Sequence, residues 1–223
     1  MTAAGRDLHP PQSGDALLVV DVQNGFITER HELPVAGGAE VVPIINALLS
    51  RFAVRIATQD WHPPGHGSFA SAHAGARPFE RGTLAGLPQI YWPDHCVQGT
   101  RGAELHPGLH SEKFQAVIRK GYDPDADSYS AFSDNAQRNP TGLDGYLWAR
   151  GVTRLYIAGL TLDYCVHYSA LDARRLLPEV KVHYVVDATR PVAPETGREA
   201  EEEMARAGVT RVLSAELLSR PRG

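Results

Sequence analysis

Cysteine is almost missing from this chain: its 223 residues include only Cys96 and Cys165. Two cysteines in a chain of this length make no disulfide framework, so both are expected as free thiols in a reducing compartment. Long apolar runs are missing too. No stretch approaches the ~20 apolar residues of a membrane span, and residues 1–14 carry no apolar core of the kind a signal peptide needs. The expectation is a cytoplasmic protein that meets no membrane. Nor is charge of one sign in excess, since 22 Lys and Arg stand against 26 Asp and Glu for a formal net charge of -4. That balance leaves no basic footprint for nucleic acid. The expected partner is a small molecule, with homo-oligomerisation left open. Internal repeats, low-complexity tracts and linkers are absent as well.

What is present is an ordinary globular composition, 43% hydrophobic and 22% charged, which bounds the chain to one domain over residues 1–223. Apolar, β-rich runs alternate with amphipathic stretches. Strands are expected at 16–20, 54–58, 116–119, 154–160, 181–186 and 210–213; helical patterns cover 40–52, 143–150, 164–172 and 194–207. Such alternation predicts an α/β fold, a three-layer α/β/α sandwich around a six-stranded, mostly parallel sheet. One irregular segment, 59–107, is too long for a mere connection and is expected to be functional.

In open parallel sheets ligands bind beyond the carboxyl ends of the strands, so the residues that end each apolar run carry the most information. Asp21 follows Leu18-Val-Val20, Asp60 follows Ile56-Ala-Thr-Gln59, Lys120 follows Val117-Ile-Arg119, and Cys165 lies just past Leu160. Cys165 also sits where a strand passes into a helix, whose first N–H groups and positive dipole end favour thiolate over thiol. Asp21, Lys120 and Cys165 together supply a base, a cation and a nucleophile for covalent amide chemistry. Asp60 reads differently. In an extended segment Asp60 and His62 point to one side, and with His95 from the same long loop an Asp/His/His metal site with open positions is one reading, chance pairing among ten histidines the other. His66 is a fourth candidate. The run Asp123-Pro-Asp125-Ala-Asp127 begins like a calcium loop but lacks its later Gly and Glu, and reads as a turn.

These motifs occur in a recognisable order: Val20-Asp-Val-Gln-Asn-Gly-Phe26, Gln59-Asp-Trp-His-Pro-Pro-Gly-His-Gly-Ser-Phe-Ala70, Trp92-Pro-Asp-His-Cys-Val-Gln98, Arg119-Lys-Gly121, Asp127-Ser-Tyr-Ser-Ala-Phe132 and Gly159-Leu-Thr-Leu-Asp-Tyr-Cys-Val166. Over about residues 16–213 the chain resembles the nicotinamidases, also called pyrazinamidases, of the isochorismatase-like hydrolase superfamily. The resemblance implies hydrolysis of nicotinamide to nicotinate and ammonia, within NAD salvage, with Asp21, Lys120 and Cys165 as triad and Asp60, His62 and His95 as ligands of zinc, iron or manganese. It further implies an oxyanion hole from the N–H groups of Thr161 and Cys165 beside a cis Leu160–Thr161 bond. Phe26, Trp92 and Tyr129 would wall the ring, and the metal would bind the pyridine nitrogen.

Phe132 and Cys96 are expected to pack in the core, and Asp163 to cap its own helix. Asp187 has no role. Where many family members carry Ala, this chain has β-branched Thr161, which is expected to crowd the substrate amide and alter rate or preference. Two other readings stay open: a carbamoyl or ureido amidase with the same triad and no metal, and a redox sensor in which Cys165 is oxidised and nothing is hydrolysed.

Overall fold

A computed structural model describes residues 10–27 and 32–219 of the protein. Its elements, in order, are β1 (Asp15–Val20), α1 (Asn24–Ile27), α2 (Val41–Leu49), β2 (Val54–Asp60), β3 (Arg81–Leu84), β4 (Leu87–Ile90), β5 (Ala116–Lys120), α3 (Leu143–Ala149), β6 (Arg154–Leu160), a π turn (Leu162–Val166), α4 (His167–Leu176), β7 (Lys181–Arg190), α5 (Pro194–Arg206), β8 (Thr210–Val212) and α6 (Ser214–Leu218). Six strands form one sheet in the order β5-β2-β1-β6-β7-β8, and every neighbouring pair is parallel. No helix among the described residues is long and apolar enough to cross a membrane.

The sheet is covered on both faces because its strands are apolar on both. Successive side chains alternate, so Leu17 and Val19 of β1 join Tyr156, Ala158 and Leu160 of β6 against α2 and α6. Ala16, Leu18 and Val20 point the other way, with Leu155 and Ile157, into a second core closed by α3, α4 and α5. The result is the expected three-layer sandwich. Burying β1 and β6 completely leaves no choice of register, since a slip by one residue would exchange the two cores.

Register then decides which residues meet at the carboxyl edge. Asp60 and Lys120 are direct partners across β2 and β5, and Val20 pairs with Gly159 across β1 and β6. Gly159 has φ +113, and a Cβ there would lie 2.1 Å from Val20 O, so only glycine lets these two central strands end side by side.

Three local features differ from the sequence expectations. The segment 59–107 contains an antiparallel hairpin, β3–β4, whose short, half-exposed strands gave no apolar alternation to read. The helix expected to begin at Tyr164 begins instead with the π turn Leu162–Val166. Asp163 does not cap its own helix: its carboxylate accepts the N–H groups of Val192 and Ala193 and the Thr196 hydroxyl, clasping the start of α5. Asp187 gains a purpose, because it accepts from both the N–H and the hydroxyl of Ser214 at the start of α6. Phe132 and Cys96 are buried, as expected.

Candidate active site

At the carboxyl ends of β1, β2, β5 and β6 the structure gathers Asp21, Asp60, Lys120 and Cys165, all 6% exposed or less. Asp21 sits immediately after β1 at φ +47, a backbone conformation that non-glycine residues adopt rarely and that turns its carboxylate into the rim. Thr58 fixes it, donating to Oδ1 through its hydroxyl at 2.5 Å and accepting the Asp21 N–H at 3.1 Å. Oδ2 lies 2.9 Å from Lys120 Nζ and has no other hydrogen-bond partner among the described residues. Lys120 Nζ also donates to Asp60 Oδ1 at 2.5 Å, to the Ser128 carbonyl at 2.9 Å and to Cys165 Sγ at 3.4 Å. One ammonium therefore touches a thiol and two carboxylates.

The electrostatics follow from that packing. Burial raises the Asp21 carboxyl to about 6, against the lowering pull of Lys120. Burial alone would depress Lys120, but Asp21 and Asp60 hold its ammonium well above the ordinary range. Burial also pushes the Cys165 thiol well above its ordinary value, and Asp21 and Asp60 add to this while Lys120 opposes it. The thiolate favoured by the strand-to-helix argument is thus not the resting form, because a helix end is worth less than the cost of burying an anion beside two carboxylates. At neutral pH the rim rests as thiol, carboxylate and ammonium, with Asp21 Oδ2 open to take the thiol proton.

A second group adjoins the first. His62 Nδ1 lies 2.8 Å from the Gly121 carbonyl and His95 Nδ1 2.8 Å from the Pro93 carbonyl. Carbonyls accept, so each Nδ1 carries the hydrogen and each Nε2 presents a lone pair. Those two Nε2 atoms face Asp60 Oδ2 at 3.8 and 3.9 Å. Burial lowers His62 to about 3 and His95 to about 4, so both rings are neutral. Two neutral imidazoles and a carboxylate oxygen, their ligand atoms within 4.8 Å of one another, form a donor set able to hold a divalent metal. Gly121 is part of this construction: it stands at φ +65, and a Cβ would come within 2.5 Å of the His62 ring. His66 is not in the Asp60 group. Its nitrogens lie 2.7 Å from Ser68 Oγ and 2.8 Å from the Asp123 carbonyl, so both are occupied.

Between the two groups lies a narrow cleft lined by Phe26, Trp92 and Tyr129. Trp92 Nε1 donates to the Tyr129 hydroxyl at 3.2 Å and its ring meets Tyr164 edge-on at 4.9 Å. Tyr164, Leu33, Val192 and Asp127 also line the cleft and were missed in the sequence. Tyr164 could have been found from its place beside the nucleophile; Leu33 and Val192 carry no local signal. Gln23 was missed too, although it exchanges hydrogen bonds with both the N–H and the carbonyl of Asp60. Cys96 does not line the cleft and has its sulfur 3.7 Å from the Gly102 carbonyl. The Leu160–Thr161 bond is cis, and the Thr161 carbonyl accepts from the N–H groups of Tyr164 and Val166.

Residues 15–216 match the isochorismatase domain family. A nicotinamidase of Escherichia coli is 46% identical over 207 residues, 90% of this chain and 94% of that one. The chain belongs to the nicotinamidase branch of that family. A solved nicotinamidase/pyrazinamidase of Acinetobacter baumannii superposes with a TM-score of 0.88 at 42% identity, covering 92% of this chain and 99% of that one. A pyrazinamidase of Pyrococcus horikoshii, solved in complex with zinc, superposes with a TM-score of 0.74 at 35% identity, covering 90% of this chain and 99% of its own.

Thr161 Oγ1 is buried and has no hydrogen-bond partner among the described residues. An unpaired buried hydroxyl costs more than the methyl that matches its shape. Thr161→Val is therefore expected to raise the unfolding free energy by about 1 kcal/mol in a denaturant titration; an unchanged or lower value would show that the hydroxyl is already satisfied.

Proposed function

We propose that this enzyme hydrolyses the carboxamide of nicotinamide, giving nicotinate and ammonia, through a thioester on Cys165. The observation that carries the mechanism is the open Oδ2 of Asp21 beside a neutral thiol and a fixed ammonium. Asp21 takes the thiol proton as sulfur attacks the carboxamide carbon, and Lys120 holds the negative charge that appears on sulfur. The oxyanion falls to the N–H groups of Thr161 and Cys165 at the strand-to-helix turn. Asp21 then returns its proton to the departing nitrogen, and ammonia leaves. Water next attacks the thioester, with Asp21 as base, and the thiol is restored. The step balances, because the proton borrowed from sulfur leaves on ammonia and water supplies both the new carboxylate oxygen and the proton returned to sulfur.

Phe26, Trp92 and Tyr129 are assigned to the ring, since a flat heteroaromatic buries most of its area between such walls. Asp60, His62 and His95 would hold the divalent ion, zinc in this reading, with Nε2 and Oδ2 as donor atoms. Such an ion supplies an electron-pair acceptor for the pyridine nitrogen and so orients the ring. The paired imidazoles and the aromatic cleft favour this substrate over a carbamoyl or ureido one, which offers no ring and no such nitrogen. In the cell the reaction would serve NAD salvage in the cytoplasm.

Ammonia release from nicotinamide tests the reading, with pyrazinamide and an N-carbamoyl amino acid as comparison substrates. Cys165→Ala is expected to lower kcat by at least about a thousandfold in folded protein. Asp21 must be ionised to act as base, so kcat/KM of the parent is expected to fall about tenfold per pH unit below about 6. A flat profile between pH 7 and 5, or undiminished turnover by Cys165→Ala, would overturn the mechanism.

A further inference from the structure

Asp127 is left over by this chemistry. It is 4% exposed, lies in the loop after β5 and opens into the cleft. Its oxygens each accept one hydrogen bond, Oδ1 from the Ser128 N–H and Oδ2 from Gln89 Nε2, both at 2.8 Å. These donors hold it as a carboxylate and leave a second lone pair on each oxygen. Lys120, the cation of this rim, pairs with Asp21 and Asp60 instead.

What faces it is imidazole: its carboxylate and ring nitrogens of His62 and His66 lie within 4.8 Å of one another. His66 has both nitrogens occupied, and His62 Nδ1 is tied to the Gly121 carbonyl. The nitrogen left with a free lone pair is His62 Nε2, which also faces Asp60 Oδ2. The same 4.8 Å spread holds Asp60, His62 and His95 together, so His62 belongs to both groups.

Charge gives an independent reason. A divalent ion at Asp60, His62 and His95 would bring two positive charges to a rim that already holds Lys120. Against those three charges stand Asp21, Asp60 and Asp127, each carrying one negative charge. Passing the Cys165 proton to Asp21 moves a charge between neighbours and leaves the total unchanged. Glu32 is turned to the Cys96 N–H at 2.7 Å and does not line the cleft. Without Asp127 the loaded centre would keep an unbalanced charge in a buried, ring-walled cleft.

We propose that Asp127 is a further carboxylate of the metal site, supplying the charge that lets a divalent ion be buried there. The inference rests on the assignment of Asp60, His62 and His95 as ligands. A merely structural Asp127 would only pin Gln89 and Ser128, which Gln89→Leu mimics without touching charge.

The test equilibrates the zinc-loaded, full-length enzyme and its variants against chelator-buffered zinc and measures the metal retained. Asp127→Asn is expected to hold zinc about 10- to 100-fold more weakly, Gln89→Leu close to the parent, and His95→Ala not at all at the same free zinc. Asp127→Ser stands in, with the same expected loss, if Asp127→Asn does not fold. Parental affinity in the Asp127 variants, or an equal loss in Gln89→Leu, overturns the role of Asp127. Parental affinity in His95→Ala overturns the ligand assignment itself.

Discussion

A single buried ammonium holds the rim together. Lys120 Nζ reaches Asp21, Asp60, the Ser128 carbonyl and Cys165 within 3.4 Å, and its side chain is fully buried. None of these acids tolerates such burial alone: ionised carboxylates out of water cost several kcal/mol each unless paired. Lys120 thus does more than serve the thiol. It also fixes Asp60, leaving Oδ1 engaged and Oδ2 turned to the two imidazoles, so the nucleophile and the metal-binding group share one counter-ion.

Strand order and register produce this arrangement. Parallel strands end on one edge, and β5-β2-β1-β6 brings four chain segments far apart in sequence to adjacent ends. The Asp60–Lys120 pairing is a direct cross-strand register, so the ion pair is built into the ladder. The backbone at the edge is bent to suit. Asp21 takes a left-handed φ, Gly159 lets β1 and β6 close up, and Gly121 leaves room for His62 while its carbonyl sets that ring's tautomer. Asp163 clasps the start of α5, and Val192 beside it becomes part of the cleft wall.

The sheet and the residues at its strand ends were legible in the sequence because an apolar run must stop where the chain leaves the core. Asp21, Asp60, Lys120 and Cys165 all mark such stops. The misread parts share a cause: their structure depends on partners distant in sequence. The β3–β4 hairpin has little apolar pattern of its own, and Asp163 resembles a local cap until α5 is present to receive it. The protonation state of Cys165 was misjudged for the same reason, since a junction reveals a dipole but not the two carboxylates buried beside the sulfur. Gln23 and Tyr164 lay inside motifs already in view, yet only geometry shows one holding the Asp60 backbone and the other closing the aromatic wall.

Lys120 is the charge that makes a buried thiolate attainable at Cys165. Alkylation of Cys165 by iodoacetamide, with the modified peptide separating it from Cys96, reads this directly in the parent and in Lys120→Met. Alkylation is expected to be at least about tenfold slower in the variant at the same pH, because the thiolate loses its nearest cation. An equal or faster rate in folded Lys120→Met would contradict it.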